Sequence, residues 1–208
     1  QDIFDINTLS TFNLLNWAKK AGAHKFIFSS TANVYKPTSE ILIESSLVKP
    51  MSLYAATKAS AEMLVGQFSS DFHTTILRVF TVYGPGQKNM LVAQMIERLK
   101  SNDEISLAGG KGIFLTPIYI SDAAQIMVKL LYLSKYSSGD VFNLSGVEET
   151  NLAEIVDILA QILEVKPNLL IKDGSPGSLI GSPKKLLKTL NYSDLISLHD
   201  GLRFTADS

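Results

Sequence analysis

Tyr54 and Lys58 stand four residues apart in the segment from Tyr54 to Phe68, which is rich in alanine, methionine and leucine and reads as a helix, so both side chains share one face. A free phenol titrates near ~10, and an ammonium at this spacing favours the phenolate, which gives the pair the chemistry of a proton acceptor and donor at neutral pH. Chance alone supplies about half of one such pair from the tyrosines and lysines of this chain, so by itself the pair fits a helix surface equally well. Ser29, Ser30 and Thr31 end the apolar run that begins at Lys25. Hydroxyls at the carboxyl end of a buried parallel strand face the crevice where open α/β sheets hold their ligands, although alone the cluster reads as a turn closing a strand. A second run, Thr74 to Phe80, leads through Thr81, Val82 and Tyr83 into Gly84-Pro85-Gly86 and brings another loop to the same edge.

To position these residues the chain needs strands that alternate with helices. An opening helix ends near Gly22, and Lys25 to Ser30 lacks polar alternation, as a strand covered on both faces does. After the second helix and second strand, Leu91 to Lys100 reads as helix and Ile105 to Leu107 as a short strand. Asp122 caps a helix through Leu133, Val141 to Leu144 is a strand, and helices follow at Leu152 to Leu163 and Pro183 to Leu190. The alternation predicts an α/β fold, a partial doubly wound Rossmann-like parallel sheet with a smaller C-terminal substrate lobe. The division falls after Gly86: residues 1–86 carry the dinucleotide-side elements and the catalytic residues, and 87–208 are mainly the substrate lobe, with elements returning to the main sheet.

Composition narrows the rest. Hydrophobic residues make up 46% and charged ones 19% of 208, so the chain buries a core and is not a disordered tract. A net charge of −1 supplies no electrostatic attraction to phosphate backbones, which argues against nucleic acid as a partner. Without cysteine there is no disulfide framework and no thiolate nucleophile, which fits a cytoplasmic protein. His24, His73 and His199 lack metal-type spacing, so no metal is expected. The longest apolar candidate, Ile126 to Leu133, is interrupted by Lys129, so no membrane span is expected.

Five ordered motifs resemble the extended short-chain dehydrogenases/reductases, and within them the NAD-dependent epimerase/dehydratases of the UDP-glucose/galactose 4-epimerase type. Asn7 to Leu15 is similar to that family's Asn-Val-x-Gly-Thr-x-Asn-Leu-Leu helix, and Phe26 to Tyr35 to its Phe-Ile-x-x-Ser-Ser-x-x-Val-Tyr segment. Pro50 to Lys58 matches Pro-x-Ser-x-Tyr-x-x-x-Lys, Leu77 to Gly86 matches Leu-Arg-x-x-x-Val-Tyr-Gly-Pro-Gly, and Tyr119 to Asp122 matches Tyr-Val-x-Asp. Lys184 to Tyr192 and Gly201-Leu202 resemble the closing segment, so the likeness runs from Gln1 to Ser208.

The resemblance implies NAD, or NADP, as cofactor and a nucleotide sugar or a related hydroxyl or keto compound as substrate. Tyr54 would be the acid/base, Lys58 would favour its phenolate and hold the nicotinamide ribose, and Thr31 would hydrogen-bond the sugar oxygen. Asn7, Ser29, Phe80 and Val82 would line the cofactor together with Tyr54 and Lys58. The small or flexible residues Ala55, Ala59, Met63 and Gly66 would mark a homodimer face, with core packing an equal alternative.

Three departures qualify this. No Gly-x-x-Gly-x-x-Gly turn occurs, so the pyrophosphate grip is missing and the chain reads as part of a longer enzyme, inactive alone. Leu115 stands where the family often has an arginine that holds the nucleotide diphosphate, and a leucine makes no bidentate phosphate contact. Ala32-Asn33 stands where 4,6-dehydratases carry Asp-Glu, which leaves epimerisation or ketone reduction. The competing class is a non-catalytic or truncated relative that acts as a binding module.

Overall fold

The computed structural model describes residues 2–133 and 136–207; Gln1 and Ser208, the ends of the span covered by the resemblance, lie outside the described residues. The chain opens with a helical turn Asp2–Phe4, a π-helical turn Asp5–Leu9 and the helix Ser10–Lys20 (α1). Next come β1 (Lys25–Thr31), a 3₁₀ turn Ala32–Val34, α2 (Leu53–Gln67) and β2 (His73–Val79). Ser52 starts α2 because its side chain accepts the Ala55 N–H, one of the amides that a helix leaves without a carbonyl partner.

The main sheet is parallel, with β2 between β1 and β7 (Asp140–Leu144). Alternate residues of a strand point to opposite faces. Phe28 and Ile76 therefore pack against Leu15 and Ala18 of α1 and Ala61 and Val65 of α2, all buried. Leu77 and Phe142 turn the other way, onto Ile126 and Leu130 of the helix Ile120–Tyr132 (α4) and Leu186 of the helix Lys184–Leu190 (α6). The result is a sheet with helices on both sides, as parallel strands require.

A second core lies beyond Tyr83. It joins the helices Leu91–Ser101 (α3), Leu152–Ile162 (α5) and Leu198–Ala206 (α7) through Val92, Leu99, Ile155, Leu159 and Leu202. Two-residue strands stitch this part together. β3 (Val82–Tyr83) pairs with β6 (Ile118–Tyr119), and β5 (Phe114–Leu115) lies between β8 (Thr150–Asn151) and β10 (Ser178–Leu179). β4 (Ile105–Ala108) runs parallel to β9 (Leu169–Lys172).

One sequence expectation is corrected. Asp122 does not cap its helix: α4 begins at Ile120 with Tyr119 at the N-cap and no side-chain cap there. The Asp122 carboxylate is buried in the first turn and accepts the Ile196 N–H at 2.8 Å, so it ties α4 to the segment that leads into α7. No helix among the described residues is long and apolar enough to cross a membrane.

Candidate active site

β1 and β2 end side by side, with Thr31 opposite Val79, and their carboxyl ends open onto a cleft of about 650 Å³. Ser29, Thr31, Tyr54, Lys58, Phe80 and Val82 all line it, so residues from two strand ends and one helix meet in one space. Asn7 is not among the lining residues. Its side-chain amide donates to Thr57 Oγ1 at 3.1 Å, while Thr8 Oγ1 donates to the Thr57 carbonyl at 3.0 Å. The π-helical turn thus braces α2 at the residue before Lys58, and Asn7 acts on the cleft from behind.

The polar groups differ in what they have left to offer. Thr31 Oγ1 accepts the Asn33 N–H at 3.2 Å and so caps the 3₁₀ turn, which leaves the hydroxyl proton to be donated. Tyr54 is 40% exposed, and no hydrogen bond engages its phenol oxygen among the described residues. Lys58 is half-buried with its Nζ 4.4 Å from the centre of the Phe28 ring, and that ammonium makes no hydrogen bond among the described residues. Burial draws it below the ordinary lysine range, and the Glu62 carboxylate one turn along α2 pulls it partly back. A desolvated cation with unused donors suits a ligand rich in hydroxyl acceptors, such as a ribose.

Phe80 forms buried floor. Its ring lies 6.3 Å from that of Tyr35, and it packs so closely on Gly181 that a Cβ there would stand 2.4 Å from Phe80 Cζ. Leu115 is buried in β5 and lines the cleft, so it presents a hydrocarbon wall there. Gln87 and Leu179 also line the cleft and were not singled out in the sequence. Gln87 follows the Gly84-Pro85-Gly86 turn that was read, so nearness to that turn was the available signal.

The face expected to carry small residues is divided. Ala55 is buried and Ala59 packs toward Ala32 and Phe80, whereas Met63 is exposed and a Cβ on Gly66 would meet nothing within 4 Å. The first two therefore serve the core.

The model of the NAD dependent epimerase/dehydratase family matches residues 1–145. An uncharacterised UDP-glucose epimerase of Bacillus subtilis is 28% identical over 91% of this chain and 61% of its own length. A UDP-glucuronate 4-epimerase of Thermodesulfobacterium geofontis is 29% identical over 98% of this chain and 64% of its own. The crystal structure of a UDP-glucuronic acid 4-epimerase from Bacillus cereus in complex with NAD superposes with a TM-score of 0.88 at 29% identity, over 97% of this chain and 64% of that one. The chain thus spans a little over three fifths of the length of these relatives.

Proposed function

Since the chain belongs to the NAD dependent epimerase/dehydratase family, we propose that it contributes the acid/base half of a hydride-transfer site that acts on a nucleotide sugar or a related hydroxyl or keto compound. The observation that carries this reading is the convergence of Thr31, Tyr54 and Lys58 on one cleft, with a phenol oxygen and an ammonium that have no hydrogen-bond partners among the described residues.

NAD, when bound, supplies the hydride acceptor and donor. Tyr54 Oη takes the proton of the substrate hydroxyl as that carbon is oxidised and returns it when the carbonyl is reduced. Lys58 stabilises negative charge on that oxygen and donates to ribose hydroxyls, while Thr31 donates its free hydroxyl proton to the substrate oxygen and holds it beside Tyr54. Ser29, Phe80 and Val82 form the wall on the cofactor side, and Asn7 acts by holding α2. Residues 1–86 together with β7, α4 and α6 make up the cofactor side of the site, and the rest of 87–208 mainly the substrate side. Ala32 and Asn33 offer no carboxyl pair for dehydration, so the reaction is epimerisation or ketone reduction.

These 208 residues include no glycine-rich pyrophosphate turn, so on this reading they bind dinucleotide weakly and do not turn over alone. Leu115, which cannot grip a diphosphate, favours the second reading, a binding module. Calorimetric titration of NAD and NADP separates the two, since weak binding of a dinucleotide supports the hydride-transfer site and no binding of either supports the module. In enzyme that holds this chain and turns over a UDP-hexuronate with NAD, Tyr54→Phe abolishes turnover; a variant that keeps its rate refutes the assignment. The apolar side chains left exposed on α1 and α2, Leu14, Trp17 and Met63, suit self-association into a homodimer, which sedimentation equilibrium of the chain tests.

A further inference from the structure

Glu62 and Arg78 are a buried acid and base, 8% and 6% exposed, that the proposed reaction leaves unused. Arg78 donates from Nε and Nη2 to the two oxygens of Glu62, the closer contact at 2.8 Å, and Ser30 Oγ donates to Glu62 Oε1. The strand register explains the convergence. Ser30 of β1 and Arg78 of β2 are direct partners, so both side chains leave the sheet on the same face, toward α2. Phe28, two residues before Ser30 and on the same face, lies beneath the Lys58 ammonium. Lys58 and Glu62 are one helical turn apart, so one stretch of α2 meets one stretch of β1 at two points. The far side of Arg78 is held as well: Nη1 donates to the Glu44 carbonyl at 3.2 Å and the guanidinium lies over the Tyr35 ring at 4.7 Å. Tyr35 Oη in turn donates to Asn143 Oδ1 at 2.7 Å.

Stability alone gives a poor account of this arrangement, because well-packed apolar side chains commonly replace a buried ion pair without loss. Ser30, which donates to Glu62, directly precedes Thr31, and Glu62 lies one turn from Lys58. We propose that Glu62 is a positioning residue for the reaction proposed above: held by Arg78 and Ser30, its carboxylate sets a negative charge one helical turn from the Lys58 ammonium and fixes the helix bearing Tyr54 to the strand end bearing Thr31. The inference rests on that functional reading. The charged group that acts on Lys58 is Glu62, one turn along α2; Tyr54 lies one turn before Lys58 on the same helix, Arg78 of β2 grips Glu62, Glu44 and Tyr35 face Arg78, and from β1 Phe28 lies beneath the ammonium. Desolvation works against the charged form of Lys58, and Glu62 is the group that opposes it.

The test titrates the lysine itself. The chain is reductively methylated with carbon-13, the Lys58 signal is assigned by its loss in Lys58→Arg, and its midpoint is followed by NMR in Glu62→Gln. The expected result is a midpoint lower by about 1 pH unit, the usual size of the effect of one nearby charge. Glu62→Gln combined with Arg78→Met removes the stranded cation, guards against misfolding and still lowers the midpoint, by less than Glu62→Gln alone because the unpaired guanidinium no longer repels the ammonium. Ser30→Ala keeps the charge and leaves the midpoint where it was. A midpoint that is unchanged or raised in either folded Glu62 variant overturns the proposal. In active enzyme the alkaline limb of the kcat profile moves down with the midpoint while KM holds, and a limb that stays in place counts equally against it. If the midpoint falls while Tyr54→Phe retains full turnover, the functional reading fails and the charge coupling stands.

Discussion

Gly181→Ala tests how the cleft floor is held. The residue is buried, its N–H donates to Thr116 Oγ1 at 2.9 Å, and its carbonyl accepts Ser145 Oγ at 3.0 Å, so the backbone cannot retreat. A Cβ would stand 2.4, 2.5 and 2.7 Å from three atoms of the Phe80 ring, and the ring must give way. Two effects oppose each other. Alanine stiffens the unfolded chain, which stabilises the fold by about 0.4–1 kcal/mol at a compatible backbone. Overpacking a filled site costs about 1–3 kcal/mol and wins. The net loss is about 0.5–2 kcal/mol, which in a chain of this length lowers Tm by about 1–8 °C. Calorimetry and urea unfolding measure it, and Phe80→Leu in the Gly181→Ala background recovers at least ~0.5 kcal/mol of coupling in a double-mutant cycle. A Tm at or above that of the parent, or additive losses in the cycle, would show that the ring is not the obstacle and that Phe80 is not fixed from this side.

Three further outcomes are expected. Tyr54→Phe removes an oxygen with no protein partner among the described residues, so urea unfolding should place its stability within about 0.5 kcal/mol of the parent; a larger loss would give the phenol a structural role. Lys58 must be charged to serve Tyr54, and burial lowers its pKa, so turnover should fall as pH rises through a value below the ~10.4 of free lysine; a limb at or above that value contradicts the assignment. His73 has a buried Nε2 without a hydrogen-bond partner among the described residues, and burial, helped by Lys25, lowers its pKa against the opposing pull of Asp140. The unfolded chain therefore takes up the proton first, and stability present above about pH 6.5 drains away as pH falls toward the folded value. His73→Gln should flatten that slope in urea unfolding between about pH 8 and about pH 5, and an unchanged slope would place the acid sensitivity elsewhere.

The elements around the cleft were legible because each carries its signal locally. The segment rich in alanine, methionine and leucine marks α2 to within a residue at each end, and the unbroken apolar runs mark β1 and β2 to within a residue or so. The two-residue strands were not, because Val82–Tyr83 and Ile118–Tyr119 owe their form to each other across the chain rather than to their own propensity. Helix α7 was passed over although Ser197 accepts the Asp200 N–H at its start, a cap readable as Ser followed three residues later by an acid. Asp122 misled for the complementary reason: an acid at a helix start was read as a local cap, and its partner Ile196 lies far along the chain. The Glu62–Arg78 pair left one overlooked clue, since an arginine inside a strand buried on both faces demands an anion that the strand does not contain.

The side chains that meet in the cleft are encoded early, and the parts that hold them come late. Thr31, Tyr54, Lys58 and Phe80 leave a ribosome well before Asn143, which anchors Tyr35, and before Gly181, which backs Phe80. At ordinary rates of elongation roughly 5–20 s separate Val82 from Gly181. Throughout the first part of that interval β2 presents the edge that β7 will cover, with Leu77 awaiting Phe142. An open parallel edge beside bare hydrocarbon is where nascent chains stick to one another, so the yield of folded protein depends on how that interval is shielded, and slowing translation after Val82 should lower it.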